Sequence, residues 1–252
     1  MDCVYVLDWE EVQYLVDYSY TCLGSGSHGA AYLVDWYGEE NVLKVAHKTL
    51  SLKSFWKEAE KLVHLNGAGG APRVTGFCQD PPAILQEFKG RYTLKDIIEE
   101  FVEEKFTQYD ILDLALRIGE QLYEFHQTGL IHNDLKFDNI LINGPPTNPQ
   151  VSIIDVGLAC YCHENIKFVG GTGKYPWMAP EVREGYSSTK ASDTYSFGVL
   201  LSNLANMVLG VHPEVCHLAS QAMKPHPRQR IHLRSLLHRL RRILFQKNMD
   251  SE

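Results

Sequence analysis

The chain has no stretch of about eighteen residues that is both apolar and uncharged, the minimum that a membrane-spanning helix needs. Residues 1–5 place no basic residue ahead of an apolar run, so we expect no secretory signal. Basic residues are outnumbered: 24 Lys and Arg stand against 31 Asp and Glu, for a formal net charge of −7. This balance does not favour general nucleic-acid binding. We therefore expect neither a membrane nor a nucleic acid as a partner.

Cysteine is also scarce, with six residues scattered through 252. Cys160 and Cys162 lie close together, followed by His163, but one intervening residue does not match the usual spacing of zinc ligands. Free thiols in a reducing compartment are the simplest interpretation. We therefore expect a cytoplasmic protein, with the nucleus as an open alternative.

The chain does have enough apolar residues for a packed core, because 44% of it is hydrophobic and only 22% is charged. Its length favours a single domain, residues 1–252, made of two lobes. Strand-like patterns precede residue 89 and helical patterns follow residue 93. The pattern predicts an α+β fold with a small β-rich N-lobe (1–88), a hinge (89–93) and a larger helical C-lobe (94–252).

Apolar periodicity gives the individual elements. The predicted strands cover residues 20–23, 30–36, 41–46, 83–88, 140–142 and 151–154. The predicted helices cover residues 54–65, 109–127, 194–209 and 231–244.

The most informative segment is residues 132–139, whose sequence is His-Asn-Asp-Leu-Lys-Phe-Asp-Asn. It supplies a base in Asp134, a cation in Lys136 and a metal-capable amide in Asn139. A second metal-capable side chain, Asp155, follows shortly. Together these groups are the ones that move a phosphoryl group from a metal-bound nucleotide. That chemistry depends on positioning and charge neutralisation rather than on covalent help from the protein.

A hairpin is predicted to bring the two metal-capable residues together. The apolar runs 140–142 and 151–154 flank a turn at residues 143–146. Two strands joined by this turn place Asn139 and Asp155 at the same end of the hairpin.

Two features of the N-terminal part have competing explanations. Residues 24–29, Gly-Ser-Gly-Ser-His-Gly, lie between two strand-like runs, which favours a flap over phosphates rather than a dinucleotide fold, although a plain hairpin turn remains open. Lys44 lies in an apolar strand, where a lysine most often faces solvent. A cation inside a cleft needs an anionic partner, and Glu58 is the candidate with Glu60 as the competing choice.

With these residues in place, the chain resembles a eukaryotic-type protein kinase domain of a compact, Ser/Thr-like kind. The resemblance runs from about Leu23 to about Leu244 with the motifs in the family's order, and the ordered set is highly specific. The matching positions are the glycine-rich loop Gly24, Gly26 and Gly29, the strand lysine Lys44 with Glu58, the catalytic loop 132–139, the metal-binding triplet 155–157, Ala179-Pro180-Glu181, Asp193 and Arg230.

The resemblance implies ATP and Mg²⁺ as cofactors and a protein Ser/Thr hydroxyl as acceptor. It implies that Lys44, fixed by Glu58, holds the α/β-phosphates, while Asn139 and Asp155 carry the metal. Asp134 would accept the proton of the acceptor hydroxyl, and Lys136 would neutralise charge near the γ-phosphate. The remaining nucleotide contacts implied are Leu23, Ala31, Val42, Gln86 in the gatekeeper position, and Leu141. The four central residues Lys44, Asp134, Asn139 and Asp155 are expected to converge on one magnesium-nucleotide.

The chain departs from the family pattern at several positions. Asn133 replaces the usual arginine, which commonly grips a phosphate on the activation segment, and an amide cannot form a charged bidentate fork. We therefore expect activation to be independent of that phosphate. Val156 replaces an aromatic of the metal-binding triplet, and Lys174 falls where a threonine is usual. The stretch 193–230 is shorter than the family norm, so a helix that often docks substrates is expected to be reduced or absent.

Three functions remain open from the sequence. Lys136 favours a Ser/Thr protein kinase over a tyrosine kinase, which usually lacks lysine there. The segment 132–139 also resembles the catalytic loop of aminoglycoside and choline kinases, although Ala179-Pro180-Glu181 and Arg230 oppose that reading. A pseudokinase or decoy module is the third alternative, motivated by Asn133 and Val156. The sequence does not set the oligomeric state or the substrate protein.

Overall fold

The computed structural model describes residues 4–26, 29–47, 52–101, 106–145, 147–166, 174–207 and 212–249. Contacts along the chain divide it into two compact units. The first unit comprises Met1–Gly67 and Ala71–Lys89, and the second comprises Ala68–Gly70 and Gly90–Glu252.

The first unit is built on a six-stranded sheet with the spatial order β1-β5-β6-β4-β3-β2. Only the β1–β5 pair is parallel, and every other neighbour is antiparallel. The strands are β1 Tyr5–Val6, β2 Thr21–Gly26, β3 Gly29–Trp36, β4 Glu39–Ala46, β5 Val74–Cys78 and β6 Ala83–Glu87.

One face of this sheet packs against helix α1 (Trp9–Asp17), which the sequence analysis did not predict. The helix begins at a capping box in which Asp8 and Glu11 exchange hydrogen bonds, so its first backbone donors are satisfied. Val12 and Leu15 then pack with Leu43 and other apolar residues of the sheet. The element is short, and two buried residues give little periodicity for a sequence reading to find.

The opposite face packs against helix α2 (Leu52–Leu65). Phe55, Ala59, Leu62 and Leu65 are all buried, which confirms the apolar side that their spacing predicted. Successive side chains along a strand point to opposite faces of the sheet. Strand β4 therefore presents Val42, Lys44 and Ala46 to one face and Leu43 and Val45 to the other. Ala46 packs with Phe55 and Ala59, which identifies the face of Lys44 as the one that α2 covers.

The second unit is mainly helical, as predicted. Its helices are α3 Leu94–Asp96, which continues into a π-helical turn at Ile97–Phe101, α4 Gln108–Phe125, α5 Pro180–Arg183, α6 Lys190–Met207, α7 Pro213–Ala222 and α8 Leu233–Met249. Fully buried residues of α4, α6, α7 and α8 share one core. The long helices begin and end within a few residues of their predicted bounds, except that α8 continues five residues past its predicted end to Met249.

Helix α7 was missed by the sequence analysis, which found only a shortened connection in this region. Residues 208–211, including Gly210 and Val211 of that connection, lie outside the described residues. The helix starts at Pro213, whose fixed φ suits the first helical position. Its buried residues, Val215, Leu218, Ala219 and Ala222, join the core of the second unit.

Two small sheets complete the second unit. A three-stranded sheet has the order β10-β9-β7, from strands Gln150–Ile153, Ile140–Asn143 and Tyr92–Thr93. A two-stranded sheet pairs β8 (Leu130–Ile131) with β11 (Cys160–Tyr161). Within the described parts of the chain, no helix is both long enough and apolar enough to cross a bilayer.

Candidate active site

The glycine-rich loop closes a hairpin between β2 and β3, with Gly24 opposite Ala31 and Gly26 opposite Gly29. Its tip, Ser27 and His28, lies outside the described residues. A Cβ atom at Gly29 would overlap the carbonyl oxygen of Val45, so the sheet itself requires glycine there. At Gly24, by contrast, a Cβ atom would face open space. The protein does not need that glycine for its own packing, and the predicted close approach to phosphates would give it a use.

Lys44 meets Glu58 on the face of the sheet that α2 covers. The Lys44 Nζ donates to Glu58 Oε1 at 2.8 Å, with side chains 29% and 16% exposed respectively. Glu60, the competing choice from the sequence, is exposed. The structure therefore brings together the lysine and the acid that the sequence analysis placed first.

The remaining sequence-predicted nucleotide contacts of the first unit surround Lys44 on that face. β4 pairs Val42 with Gln86 and Lys44 with Ala31, so all four side chains share one side of the sheet. Gln86 is buried, and its side-chain oxygen has no hydrogen-bond partner in the described chain. Leu23 is exposed and lies at the register shift between β2 and β3. A buried acceptor left without a partner fits a site that a polar ligand completes.

In the second unit, Asp193 anchors the catalytic loop. It lies in α6, is fully buried, and accepts from the backbone N–H of His132 at 2.7 Å and of Asn133 at 2.8 Å. The ring of His126 lies 2.8 Å from the same carboxylate. Burial acts to raise the pKa of Asp193, but the hydrogen bond and charge of His126, together with the His132 contacts, outweigh it and hold the pKa below its ordinary value. The loop is thus tied to a buried anion.

This anchoring presents Asp134 with its carboxylate in contact with three side chains. Asn139 donates to Oδ2 at 2.9 Å, and Lys136 Nζ lies 3.6 Å from the same oxygen. The indole N–H of Trp177 donates to Oδ1 at 2.7 Å. Three of the residues that the sequence grouped by spacing, Asp134, Lys136 and Asn139, therefore meet, and Trp177 joins them from 43 residues further along the chain.

The β9–β10 hairpin places the two predicted metal ligands at its end. Ile140 pairs with Ile153, and the next backbone bond runs from Ile154 N–H to the carbonyl oxygen of Asn139 at 2.9 Å. Asp155 follows immediately and is exposed, with a positive φ of 62°. The Asn139 amide nitrogen is used by Asp134, which leaves the amide oxygen for a cation. An exposed carboxylate beside an amide oxygen is a donor set that suits Mg²⁺.

Leu141, the last predicted nucleotide contact, lies in β9 opposite Ser152 and Thr93. It is half-buried, unlike the fully buried Ile140 beside it. Its side chain therefore reaches partly beyond the core of the second unit.

Asn133 takes on a different role from the arginine that it replaces. Its φ of 66° is left-handed, a conformation that asparagine tolerates. The amide nitrogen donates to the carbonyl oxygen of Leu158 at 3.1 Å and to Cys160 Sγ at 3.2 Å. Burial raises the pKa of the Cys160 thiol, and the hydrogen bond from Asn133 only partly offsets this. A neutral amide thus holds the segment after Asp155 directly.

A second buried ion pair supports the end of that segment. Arg230 binds Glu181 through two parallel bonds of 2.7 Å, and Ser192 donates to the same carboxylate at 2.9 Å. Burial acts to raise the pKa of Glu181, but the Arg230 bonds and charge with the Ser192 bond hold it below its ordinary value. Three backbone carbonyls, those of Ala191, Lys224 and Pro225, accept further bonds from Arg230. The pair is therefore fully bonded, as a buried pair must be.

Sequence reasoning missed four contacts of the site: Trp177 with Asp134, Asn133 with Leu158 and with Cys160, and His126 with Asp193. Each joins residues that are far apart in sequence. In the sequence, Trp177 was only a weak signal for the contact with Asp134. Asn133, in place of the usual arginine of the catalytic loop, clearly indicated a departure from the family pattern. It did not reveal that its partners are Leu158 and Cys160.

Comparisons with known proteins identify the family of the chain. Residues 19–210 match the family model described as "Protein tyrosine and serine/threonine kinase", and the chain belongs to this protein kinase family. This confirms the expected family and the α+β, bilobal kinase fold class.

Two relatives illustrate the likeness. The serine/threonine/tyrosine-protein kinase HT1 of Arabidopsis thaliana is 31% identical over 143 residues, which cover 55% of this chain and 36% of that protein. A probable serine/threonine-protein kinase of Dictyostelium discoideum is 29% identical over 194 residues, covering 73% of this chain and 11% of that protein. The chain thus matches only a minor part of either relative's length.

Proposed function

We propose that the chain is a protein kinase that transfers the γ-phosphate of ATP to serine or threonine hydroxyls of protein substrates. The arrangement around Asp134 is the observation that carries the proposal, because a carboxylate, a cation and an amide meet there. The acceptor oxygen forms a bond to the γ-phosphorus while the bond to the bridging oxygen breaks, and ADP leaves. The hydroxyl proton passes to Asp134.

Other residues of the second unit supply charge and order. Lys136, beside Asp134, neutralises charge that develops on the transferred group. Asn139 and Asp155 are the residues that would hold Mg²⁺, which neutralises the phosphate charge when bound. Asn139 also keeps the Asp134 carboxylate in place through its amide nitrogen.

In the first unit, Lys44 is proposed to bind the α- and β-phosphates, with Glu58 fixing the direction of its ammonium group. The shared sheet face of Ala31, Val42 and Gln86 offers an apolar surface with one buried acceptor for the nucleotide base. Both features suit ATP as the donor.

Preference for Ser/Thr rests on Lys136, which lies beside the base as in Ser/Thr-type enzymes. The Arabidopsis relative is named a serine/threonine/tyrosine-protein kinase, so the type of acceptor hydroxyl is the property to measure. Paired peptides that differ only in serine, threonine or tyrosine at one position would measure it. Phosphorylation of the tyrosine peptide at the rate of the serine peptide would overturn the preference.

Asp134→Asn tests the proposed reaction. The amide keeps the size of the side chain but cannot accept the hydroxyl proton, so we expect kcat to fall by on the order of 10²–10⁴-fold. The melting temperature should stay near that of the wild type, because asparagine fills the same volume and its amide oxygen can still accept a hydrogen bond from a neighbouring side chain. Incorporation of labelled phosphate into a generic basic protein is the measurement. Full activity of Asp134→Asn would remove Asp134 from the mechanism.

We also propose a cytoplasmic location, supported by cysteines that remain free thiols at five described positions, Cys22, Cys78, Cys160, Cys162 and Cys216. A fluorescent fusion observed by microscopy would test it. Secretion or exclusive nuclear accumulation would contradict it.

A further inference from the structure

The side chain of Trp177 contacts both catalytic groups of the second unit. Its indole N–H donates to Asp134 Oδ1 at 2.7 Å, and its ring lies 5.1 Å from Lys136 Nζ. The first contact is a charge-assisted hydrogen bond and the second a cation–π interaction.

The hydrogen bond matters because of where the other donor binds. Asn139 donates to Oδ2 of the same carboxylate at 2.9 Å, so each oxygen of Asp134 has one side-chain donor. The terminal torsion of an aspartate is broad, and one donor alone leaves the carboxylate free to swing. Two donors on opposite oxygens define the plane of the group, and the remaining lone pairs keep a fixed direction.

The ring contact orders Lys136 in the same way. Lys136 Nζ lies 3.6 Å from Asp134 Oδ2, a distance that does not make a hydrogen bond. A partly exposed lysine carries much rotamer freedom. The aromatic face of Trp177 therefore stabilises the Lys136 ammonium group in a position next to the Asp134 carboxylate.

Trp177 is itself packed against its neighbours in the chain. The next residue, Met178, is fully buried and its N–H donates to the carbonyl oxygen of Tyr175 at 3.1 Å. The Tyr175 ring packs edge-on against the indole, with ring centroids 5.7 Å apart. These contacts limit the positions of the indole, and thereby the positions of the Asp134 and Lys136 groups that it contacts.

We propose that Trp177 is a positioning residue for phosphoryl transfer, which orients the Asp134 carboxylate through its N–H and the Lys136 ammonium through its ring. This inference rests on the proposed kinase function.

Trp177→Phe separates the two contacts, because it keeps an aromatic ring and removes the N–H. We expect kcat for a serine peptide to fall by about 10²-fold, the scale of a misplaced catalytic group, with KM for ATP and for the peptide unchanged. Trp177→Leu removes the ring as well and should lower kcat further. Trp9→Phe is the matched control, because Trp9 is exposed on α1 and should leave kcat unchanged.

The two parameters and the melting temperature distinguish positioning from packing. A fall in kcat at constant KM and near-constant melting temperature supports the proposal. Unchanged kcat in Trp177→Phe, or a loss that comes with raised KM and a matching fall in melting temperature, overturns it. If wild-type protein and Asp134→Asn are equally inactive, the kinase function fails instead, independently of Trp177.

A direct measurement of the contact remains available should Trp177→Phe fail to fold. The chain has four tryptophans, so a ¹⁵N–¹H spectrum holds few indole resonances. Asp134→Ala should shift one of them strongly, whereas Asp138→Ala, at an exposed neighbouring position, should shift none. Absence of any shift in Asp134→Ala would overturn the proposal.

Discussion

At the residue scale, the Lys44–Glu58 pair is an orienting contact rather than a source of stability. Both side chains keep part of their exposure, 29% and 16%, so water screens their attraction. Pairs of this kind contribute at most about 1 kcal/mol to folding. Its value lies in fixing where the ammonium group points on the sheet face.

Glu58→Gln tests this orienting role. The amide removes the negative charge but keeps the shape, so kcat/KM for ATP should fall by on the order of 10- to 100-fold. The melting temperature should change little, because the partly exposed Lys44–Glu58 pair contributes little to the free energy of unfolding. Steady-state kinetics with varied ATP is the measurement. Glu60→Gln, an exposed position on the same helix, is the control, and equal effects of the two substitutions would contradict the assignment.

At the element scale, the segment that follows Asp155 is tied to the catalytic loop without any phosphate. β11 pairs with β8, and Asn133 donates to Leu158 and Cys160 just before and within β11. Asn133 thereby binds the segment through neutral hydrogen bonds, where an arginine would need an anionic partner. The arrangement indicates that the fold itself positions residues 158–161, the described start of this segment.

Phosphatase treatment should therefore leave kcat essentially unchanged. Few hydroxyls are available on the segment: Tyr161 and Tyr175 are described, and Thr172 lies outside the described residues. Activity before and after treatment is compared, with mass spectrometry to verify that phosphate is gone. A large loss of activity would refute the prediction.

Asn133→Ala provides the companion measurement. It removes the donor to Leu158 and Cys160 and places a Cβ residue at a left-handed φ. We expect a loss of unfolding free energy of about 2–4 kcal/mol, from an unsatisfied carbonyl and the backbone conformation together. Chemical denaturation measures it. Stability equal to the wild type would show that these bonds do not hold the segment.

At the scale of the whole chain, two buried carboxylates tie distant parts of the second unit together. Asp193 links α6 to the catalytic loop, and Glu181 links α5 to Arg230 before α8. Both have pKa values held below their ordinary values of 3.8 and 4.5. As the pH falls, these carboxylates are protonated at a higher pH in the unfolded chain than in the folded chain. Their contribution to stability is therefore complete only above the ordinary values.

That contribution is lost as pH falls through the lower folded-state values, so the free energy of unfolding should decline steeply below about pH 4.5. Urea denaturation between pH 7 and pH 3 measures the decline. Glu181→Gln should show a shallower decline, because one of the shifted groups is gone, whereas Glu184→Gln, at an exposed position, should follow the wild type. A free energy of unfolding that stays constant down to pH 3 would contradict the prediction.

Much of this fold follows from local pattern. The apolar stripes of α2, α4 and α8, the continuous apolar run of α6 and the two apolar runs of the β9–β10 hairpin were all predicted, because each leaves a local pattern in the sequence. Helices α1 and α7 were missed, since nine and ten residues with a few buried positions give a weak period. The register of the β9–β10 hairpin also explains why Asn139 and Asp155 lie at the same end of that hairpin.

The sequence by itself determined the family, the order of the motifs and the residue types of the site, because spacing within a loop or hairpin is a local property. Only the tertiary structure decided which acid meets Lys44, that Asn133 binds Leu158, and that Trp177 binds Asp134. These contacts join residues 14, 25 and 43 positions apart. Such pairs are set by how helices and strands pack, and no local periodicity carries that information.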